Sequence, residues 1–227
     1  DTSVAAGDFW EMLLPSKFAQ PTALLKKFAE EINAVRRDDP LSVVHDLNRA
    51  LYDRFSYVPR STNVDSPIDI ALEARQGVCQ DFAHILIALL RNLGIPARYV
   101  SGYLYHRLGD PDRSVDGATH AWVEAFLPQL GWIGIDPTNC LLAGDRHIRT
   151  AIGRDYADVP PTKGIFQGVA GTELSVAVRV TPSTELPLLD QALPIPEEWS
   201  MLVEKAQEPL PVSDALLLQM QQQQQQQ

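Results

Sequence analysis

A long apolar segment that begins with a cysteine constrains this chain more than any other feature. The segment reads "GVCQDFAHILIALLRNLGIP", and apolar residues predominate from Cys79 to Leu93. Gly94 and Pro96 form the usual stop signal of a helix. A helix that is apolar on most of its surface has to be buried. The sequence therefore predicts a central helix that starts at Cys79 and is packed against the rest of the fold.

Helical patterns precede this segment and strand patterns follow it. Apolar residues at three- and four-residue spacing predict helices before it, and alternation predicts strands after it. The predicted helices cover residues 21–35, 41–55 and 68–75, and the predicted strands cover residues 97–105, 119–127, 132–136 and 173–181. This order favours an α+β fold with an antiparallel sheet over a repeated βαβ array.

The chain divides into three predicted parts. Residues 1–20 are interpreted as a remnant of, or a linker from, a missing upstream region, because the chain starts at Asp1 and not at Met. Residues 21–181 form the predicted domain. Residues 182–227 are a Pro/Gln-rich tail that ends in seven glutamines, a composition that does not need a packed core.

Composition narrows the possible partners. The net charge of -10 disfavours nucleic acids and anionic membranes, and no apolar run is long enough to span a bilayer. Two cysteines favour a reducing compartment, so we expect a cytoplasmic protein. No CxxC or HExxH spacing is present, so neither a metal nor another cofactor is expected. The oligomeric state is left open.

Cys79 is the candidate nucleophile. The dipole at a helix N-terminus stabilises a thiolate, which is the reactive form of cysteine. A catalytic cysteine also needs a base and a group that orients the base. In "THAWVEAFLPQLGWIGIDPTN", residues 127–131 predict a hairpin loop in which facing residues have numbers that sum to 258. His120 and Asp136 then leave the same face of the sheet as diagonal neighbours.

A Cys79–His120–Asp136 triad would also need donors for the oxyanion of the reaction intermediate. The backbone N–H of Cys79 is one candidate, and Gln76 or Tyr57 could supply a second. Trp122 lies next to the predicted triad and is interpreted as a core residue that also walls the acyl pocket.

Simpler interpretations exist for several of these residues. Cys79 could be a packed core thiol. His84 is interpreted as a core histidine, and Asp81 as a carboxylate that complements the helix dipole. Cys140 is interpreted as a packing residue that could pair with Cys79 on oxidation. A polar group is predicted to form a charge network in a loop, with substrate contact as the alternative: His147, Arg154, Asp155, Tyr156 and Asp158.

Three blocks together resemble the bacterial transglutaminase-like family of cysteine proteases. They are the segment that begins "GVCQDFAHIL", the segment "THAWVEAFLPQLGWIGIDPTN" and the segment "HIRTAIGRDYADVPPTKGIFQG". The resemblance covers about residues 57–181. It implies a papain-like transglutaminase core and a catalytic triad of Cys79, His120 and Asp136. Members of this family usually carry a β-rich domain ahead of the core, and we expect residues 1–20 to be what remains of that region here.

The expected chemistry is acyl transfer from an amide bond of a protein or peptide through a thioester. Water as acceptor gives a peptidase or amidase, which is the preferred interpretation. An amine as acceptor gives a protein-glutamine gamma-glutamyltransferase, and a catalytically silent binding module is the second alternative. No D-x-D-x-D-G spacing is present, which disfavours a calcium-dependent crosslinker. The terminal glutamines could also enter the cleft of their own chain as substrate or plug.

Overall fold

The computed structural model describes residues 9–107, 109–115, 117–160 and 178–182. All of these residues belong to one compact unit. Residues 183–227 of the predicted tail, which include its glutamines, and residues 173–177 of the last predicted strand lie outside the described residues, and residues 178–182 have no regular secondary structure.

Four α-helices are described, close to the predicted positions. They are α1 (Ala23–Glu31), α2 (Pro40–Arg54), α3 (Ile68–Ala74) and α4 (Cys79–Asn92). Caps explain two of the N-termini, because the side chains of Thr22 and Asp39 accept hydrogen bonds from backbone N–H groups of the first turns of α1 and α2. Helix α1 is shorter than predicted. It ends at Glu31, and Asn33 then takes a left-handed conformation.

The strands form two sheets in the described residues. They are β1 (Ser56–Tyr57), β2 (Gln76–Gly77), β3 (Ala97–Leu104), β4 (His120–Leu127), β5 (Gly131–Asp136), β6 (Leu141–Leu142) and β7 (His147–Gly153). β1 and β2 pair in parallel, and the other five form an antiparallel sheet in the order β6-β5-β4-β3-β7. The predicted α+β architecture is confirmed. The short strands β1, β2 and β6 and the strand β7 were not predicted.

The predicted hairpin register is also confirmed. Val123 faces Ile135 and Leu127 faces Gly131, so the numbers of facing residues sum to 258. Gly131 has a positive φ of 76°, a conformation that glycine adopts without steric cost in the tight turn before β5.

Helix α4 is the centre of the hydrophobic core. It packs against β3 and β4 on one side and against the other helices on the opposite side. Its apolar side chains are almost completely buried: Phe82, Ala83, Ile85, Leu86, Ile87, Ala88, Leu89 and Leu90. Burial of each large side chain contributes about 1.5–3 kcal/mol. The core therefore fixes the position of the helix whose first residue is Cys79.

His84 lies within this core, as predicted. It is 1% exposed, its ring stacks on Phe18, and its Nε2 accepts a hydrogen bond from the backbone N–H of Tyr156. Burial lowers the pKa of His84 to about 4. This histidine is therefore a neutral core residue.

The segment before α1 contacts the domain closely. The ring of Phe9 packs on Trp132, and the buried guanidinium of Arg91 donates to the carbonyls of Met12 and Leu14. The backbone N–H of Phe18 donates to Asp155. Residues 9–20 are thus attached to the core at several points, whereas the predicted division of the whole chain into three parts stays a prediction.

Candidate active site

Cys79 is the first residue of α4. The backbone N–H of the preceding residue, Val78, donates to the Asp81 carboxylate at 2.8 Å, and this hydrogen bond caps the first turn of the helix. A Cβ atom on Gly77 would lie 2.8 Å from the same carboxylate oxygen, so the glycine leaves room for this cap. Asp81 also accepts from Thr62, and Gln80 donates to the carbonyl of Val64. The start of the helix is therefore anchored to the preceding loop, with Cys79 partly exposed.

His120 and Asp136 lie at the same end of the large sheet, because β4 begins at His120 and the antiparallel β5 ends at Asp136. The Nε2 atom of His120 is 2.8 Å from Oδ2 of Asp136. Both side chains are buried, with His120 3% and Asp136 0% exposed. The structure therefore brings the predicted base and its orienting carboxylate into direct contact.

Backbone and side-chain donors surround Asp136. The N–H groups of Thr138 and Asn139 donate to Oδ1 at 3.0 and 3.2 Å. Oδ2 accepts from the side chain of Asn139 at 2.8 Å and lies 3.2 Å from Nε2 of His147. Burial raises the pKa of Asp136, but His120 and the other donors outweigh burial and hold it well below its ordinary value. Asp136 is therefore ionised.

The charge of His120 follows from this carboxylate. Burial lowers the pKa of His120, but Asp136 outweighs burial, and interaction with the Cys79 thiol adds to the effect, so the pKa is raised to about 10. Nε2 is bonded to Asp136, and Nδ1 has no nitrogen or oxygen partner among the described residues. Nδ1 is therefore the ring atom available to the sulfur of Cys79.

Tyr57 lies in the wall beside the cysteine. Strand β1 pairs with β2, so Tyr57 is level with Gly77, two residues before Cys79. Burial raises the pKa of Tyr57, and Cys79 raises it further, whereas the backbone of Val115 opposes the shift through a hydrogen bond. Tyr57 also lines a cleft of about 300 Å³ together with Phe55, Ser56 and Arg113.

The other two predicted substrate contacts have different surroundings. Gln76 is in β2, where its backbone pairs with Ser56. Trp122 is 2% exposed, with its ring stacked on His120 at 6.1 Å between centroids. Trp122 therefore packs against the imidazole as a buried neighbour on the same face of β4. The substrate-binding roles of Tyr57, Gln76 and Trp122 stay predictions.

The predicted polar loop cluster divides into two groups. Arg154 pairs with Asp158, and Asp155 accepts from backbone N–H groups, so these residues form a structural network. His147 was wrongly placed in a loop, because it begins β7 and contacts Asp136. Alternation is weak in this half-exposed edge strand, so the sequence carried no clear signal for it.

His120, Asp136 and His147 are residue types that bind metals, and one ligand atom from each lies within 4.8 Å of the others. The hydrogen bonds oppose this use. The backbone N–H of Gly144 donates to Nδ1 of His147, so the proton of that ring is on Nε2, which then has no lone pair for a metal. Cys79 and Cys140 are both free thiols.

Residues 26–137 match the sequence model of the transglutaminase-like superfamily. This part of the chain belongs to the transglutaminase-like superfamily. The match contains all three residues of the predicted triad and ends one residue after Asp136. The resemblance found in the sequence blocks and the expected transglutaminase-like fold are therefore confirmed.

Two proteins with named activities and one uncharacterized protein are among those similar to this chain. A crystal structure of a putative cysteine protease from Cytophaga hutchinsonii has 34% sequence identity and a TM-score of 0.56, covering 68% of this chain and 50% of that one. An uncharacterized protein of Mycobacterium tuberculosis is 38% identical over 206 residues, which cover 80% of this chain. A protein-glutamine gamma-glutamyltransferase of Pseudomonas aeruginosa is 29% identical over 143 residues, covering 61% of this chain and 21% of the relative.

The chain spans about 64% of the length of the mycobacterial relative. Among the described residues, no helix combines the length and the hydropathy that a membrane span requires.

Proposed function

We propose that this transglutaminase-like domain is a cysteine-nucleophile enzyme that hydrolyses amide bonds of proteins or peptides through a thioester. One observation carries the proposal. His120 is bound through Nε2 to a buried, ionised Asp136, its Nδ1 is left for the thiol, and the thiol stands at the first residue of a buried helix.

Before the proposed acylation step, the thiol proton of Cys79 is on Nδ1 of His120, and the thiolate sulfur then attacks the carbonyl carbon of the amide. The C–N bond breaks, and His120 donates its Nδ1 proton to the leaving amine. Asp136 keeps the imidazole oriented and balances its positive charge. The remaining acyl group is bound to Cys79 as a thioester.

In the proposed second step, His120 accepts a proton from water. The hydroxide attacks the thioester carbon, the C–S bond breaks, and the acid is released. The N–H of Cys79 at the helix start is available as one oxyanion donor. The hydroxyl of Tyr57 accepts from the backbone of Val115, so its own proton can serve as the second donor.

An amine acceptor is the second candidate. The name of the Pseudomonas aeruginosa relative favours it, because a gamma-glutamyltransferase uses the same thioester and replaces water by an amine. We also propose that the protein acts in a bacterial cytoplasm and that its substrate is a protein or a peptide.

Alkylation of Cys79 by iodoacetamide tests the thiol without any knowledge of the substrate. The assay uses a Cys140→Ser background, so that one thiol is labelled, and compares it with the same chain carrying His120→Ala. We expect labelling to stay fast down to about pH 6 with His120 present, because the imidazolium supports the thiolate. We expect labelling to slow steeply on acidification in the variant. Identical pH profiles would contradict the catalytic proposal and favour a binding module.

Mass spectrometry then identifies the acceptor. The chain is incubated with a peptide library in the presence and absence of a primary amine, with Cys79→Ala as control. Cleaved or deamidated peptides would support hydrolysis, whereas amine-labelled glutamines would support the transferase. The same spectra show whether Gln221–Gln227 are modified, which the self-substrate hypothesis requires.

A further inference from the structure

His147 contacts the candidate triad from a strand that is distant in sequence. Its Nε2 lies 3.2 Å from Oδ2 of Asp136, the same oxygen that binds His120, and its side chain is 3% exposed. The Trp122 ring contacts both imidazoles, stacked on His120 and in edge contact with His147 at 5.2 Å, and the two imidazole centroids are 6.1 Å apart. Strand β7 pairs with β3, so His147 faces Leu104.

A small turn fixes the tautomer of His147. The backbone N–H of Gly144 donates to Nδ1 at 3.3 Å, and the backbone N–H of His147 donates back to the carbonyl of Gly144 at 3.0 Å. A nitrogen that accepts a hydrogen bond carries no proton, so the ring proton is on Nε2. Nε2 of His147 is therefore the donor to Asp136, and Nδ1 is the acceptor from Gly144.

We propose that His147 is a positioning residue for the triad: its Nε2–H holds Oδ2 of Asp136 and limits how strongly this carboxylate retains the proton of His120. The inference rests on the proposed function.

Competition for one oxygen is the physical reason. Oδ2 of Asp136 accepts from His120, Asn139 and His147, and every added donor takes up part of the carboxylate charge. A carboxylate that binds the imidazolium too tightly makes His120 a poor acid toward the leaving amine, because proton transfer is most efficient when the pKa of the acid is near the working pH. His147 weakens this hold while keeping the carboxylate in place.

The other titratable groups around Asp136 stay unchanged in the test. Arg146 precedes His147, and its charge interacts with Asp136 while its guanidinium pairs with Asp110 and Asp112. The titratable groups that interact with Asp136 or with His120 are Cys79 of α4, Cys140 after β5 and Arg146 before β7, and His106 pairs with Asp112, which also binds Arg146.

Two isosteric variants separate the two hydrogen bonds of His147. His147→Gln places an amide NH₂ near the position of Nε2 and keeps a donor for Asp136. His147→Asn places an amide oxygen near Nδ1, which keeps the acceptor for Gly144 and removes the donor. A residue that only stabilises the turn would tolerate Asn better than Gln, and a residue that positions Asp136 would show the opposite order.

With a peptide that the mass-spectrometric assay shows to be cleaved, we expect His147→Asn to lower kcat about tenfold with KM nearly unchanged, since His147 supports only part of a proton transfer that contributes about 10²–10⁴-fold as a whole. The alkaline limb of the kcat/KM profile of this variant should move up by about half a pH unit. One donor fewer then shares the charge of Asp136, so the carboxylate stabilises the protonated form of His120 more strongly. We expect His147→Gln to remain within about twofold of the unmodified chain in kcat. The opposite order, or no change in either variant, would overturn the proposal.

Alkylation of Cys79 distinguishes this proposal from the proposed function. If His120→Ala leaves the labelling profile unchanged, the catalytic proposal fails together with this one. If His120→Ala changes the labelling profile and His147→Asn does not shift the alkaline limb of the kcat/KM profile, only the positioning role fails. Nitrogen-15 NMR of the unmodified chain adds a test that needs no variant. A protonated Nδ1 on His147 at neutral pH would overturn the assignment, and a bare Nδ1 with a protonated Nε2 would support it.

Discussion

Neutralising Asp136 should reverse the protonation of His120. The chain contains a natural comparison, because His84 and His120 are almost equally buried, with 1% and 3% of each residue exposed. Burial alone dominates at His84, whose pKa is lowered to about 4. At His120 burial acts in the same direction, but the carboxylate of Asp136 at 2.8 Å raises the pKa to about 10.

The gap of about six pKa units between these histidines corresponds to about 8 kcal/mol, at about 1.36 kcal/mol per unit. The carboxylate of Asp136 is the main cause of the preference for the charged ring at His120, and the thiol of Cys79 adds to it. Asp136→Asn keeps the size of the side chain and removes its charge. We therefore expect the pKa of His120 to fall below its ordinary value of about 6.5, toward that of His84, so that the ring is neutral at neutral pH.

The same change alters the dependence of stability on pH. In the unmodified chain, the pKa of His120 rises from 6.5 on folding to about 10. The stabilisation is thus complete below about pH 6.5 and is lost as the pH rises through about 10, up to about 5 kcal/mol. With Asp136→Asn, this alkaline loss should disappear. Stability should instead decrease as the pH falls below about 6.5, because only the unfolded chain then takes up the proton.

Titration of the carbon-13 signals of the histidine rings measures this directly. His120→Gln assigns the signal by its absence, and Cys79→Ala is the control that removes the thiol but keeps the carboxylate. In that control the pKa of His120 should stay above its ordinary value. A chain with Asp136→Asn in which His120 still titrates above about pH 8 would refute the reasoning, since the carboxylate would then not be the source of the shift.

Two further predictions concern stability. Gly102→Ala should lower the free energy of unfolding, measured in urea, by about 2–3 kcal/mol, because the new Cβ would lie 2.1 Å from the carbonyl oxygen of Ile148. Gly144→Ala is the control, because a Cβ there would have no atom within 4 Å, and it should change this free energy by less than about 0.5 kcal/mol. Equal losses in the two variants would contradict the steric argument. The pKa of His84 is lowered to about 4, so stability should fall by about 3 kcal/mol as the pH decreases from about 6.5 to about 4, and His84→Gln should remove this slope in unfolding curves measured across that range.

Local patterns in the sequence determined the parts of the site that are set by residues close together in the chain, which are the start of the helix at Cys79 and the hairpin that carries His120 and Asp136. The helix that starts at Cys79 follows from its apolar run and its Gly-Pro stop signal. The hairpin register follows from a short turn, and side chains in a strand alternate with a period of two. The sequence alone could therefore place His120 and Asp136 on the same face of the sheet.

Only the tertiary structure placed His147 and the anchors of the first segment. Strand β7 follows β6 in the chain but pairs with β3 at the opposite edge of the sheet, so its register depends on packing between distant segments. The contact of Arg91 with Met12 joins residues 79 positions apart. Contacts between residues so far apart in the chain leave no local pattern in the sequence that could predict them. They form only when α4 and the sheet bury their common core.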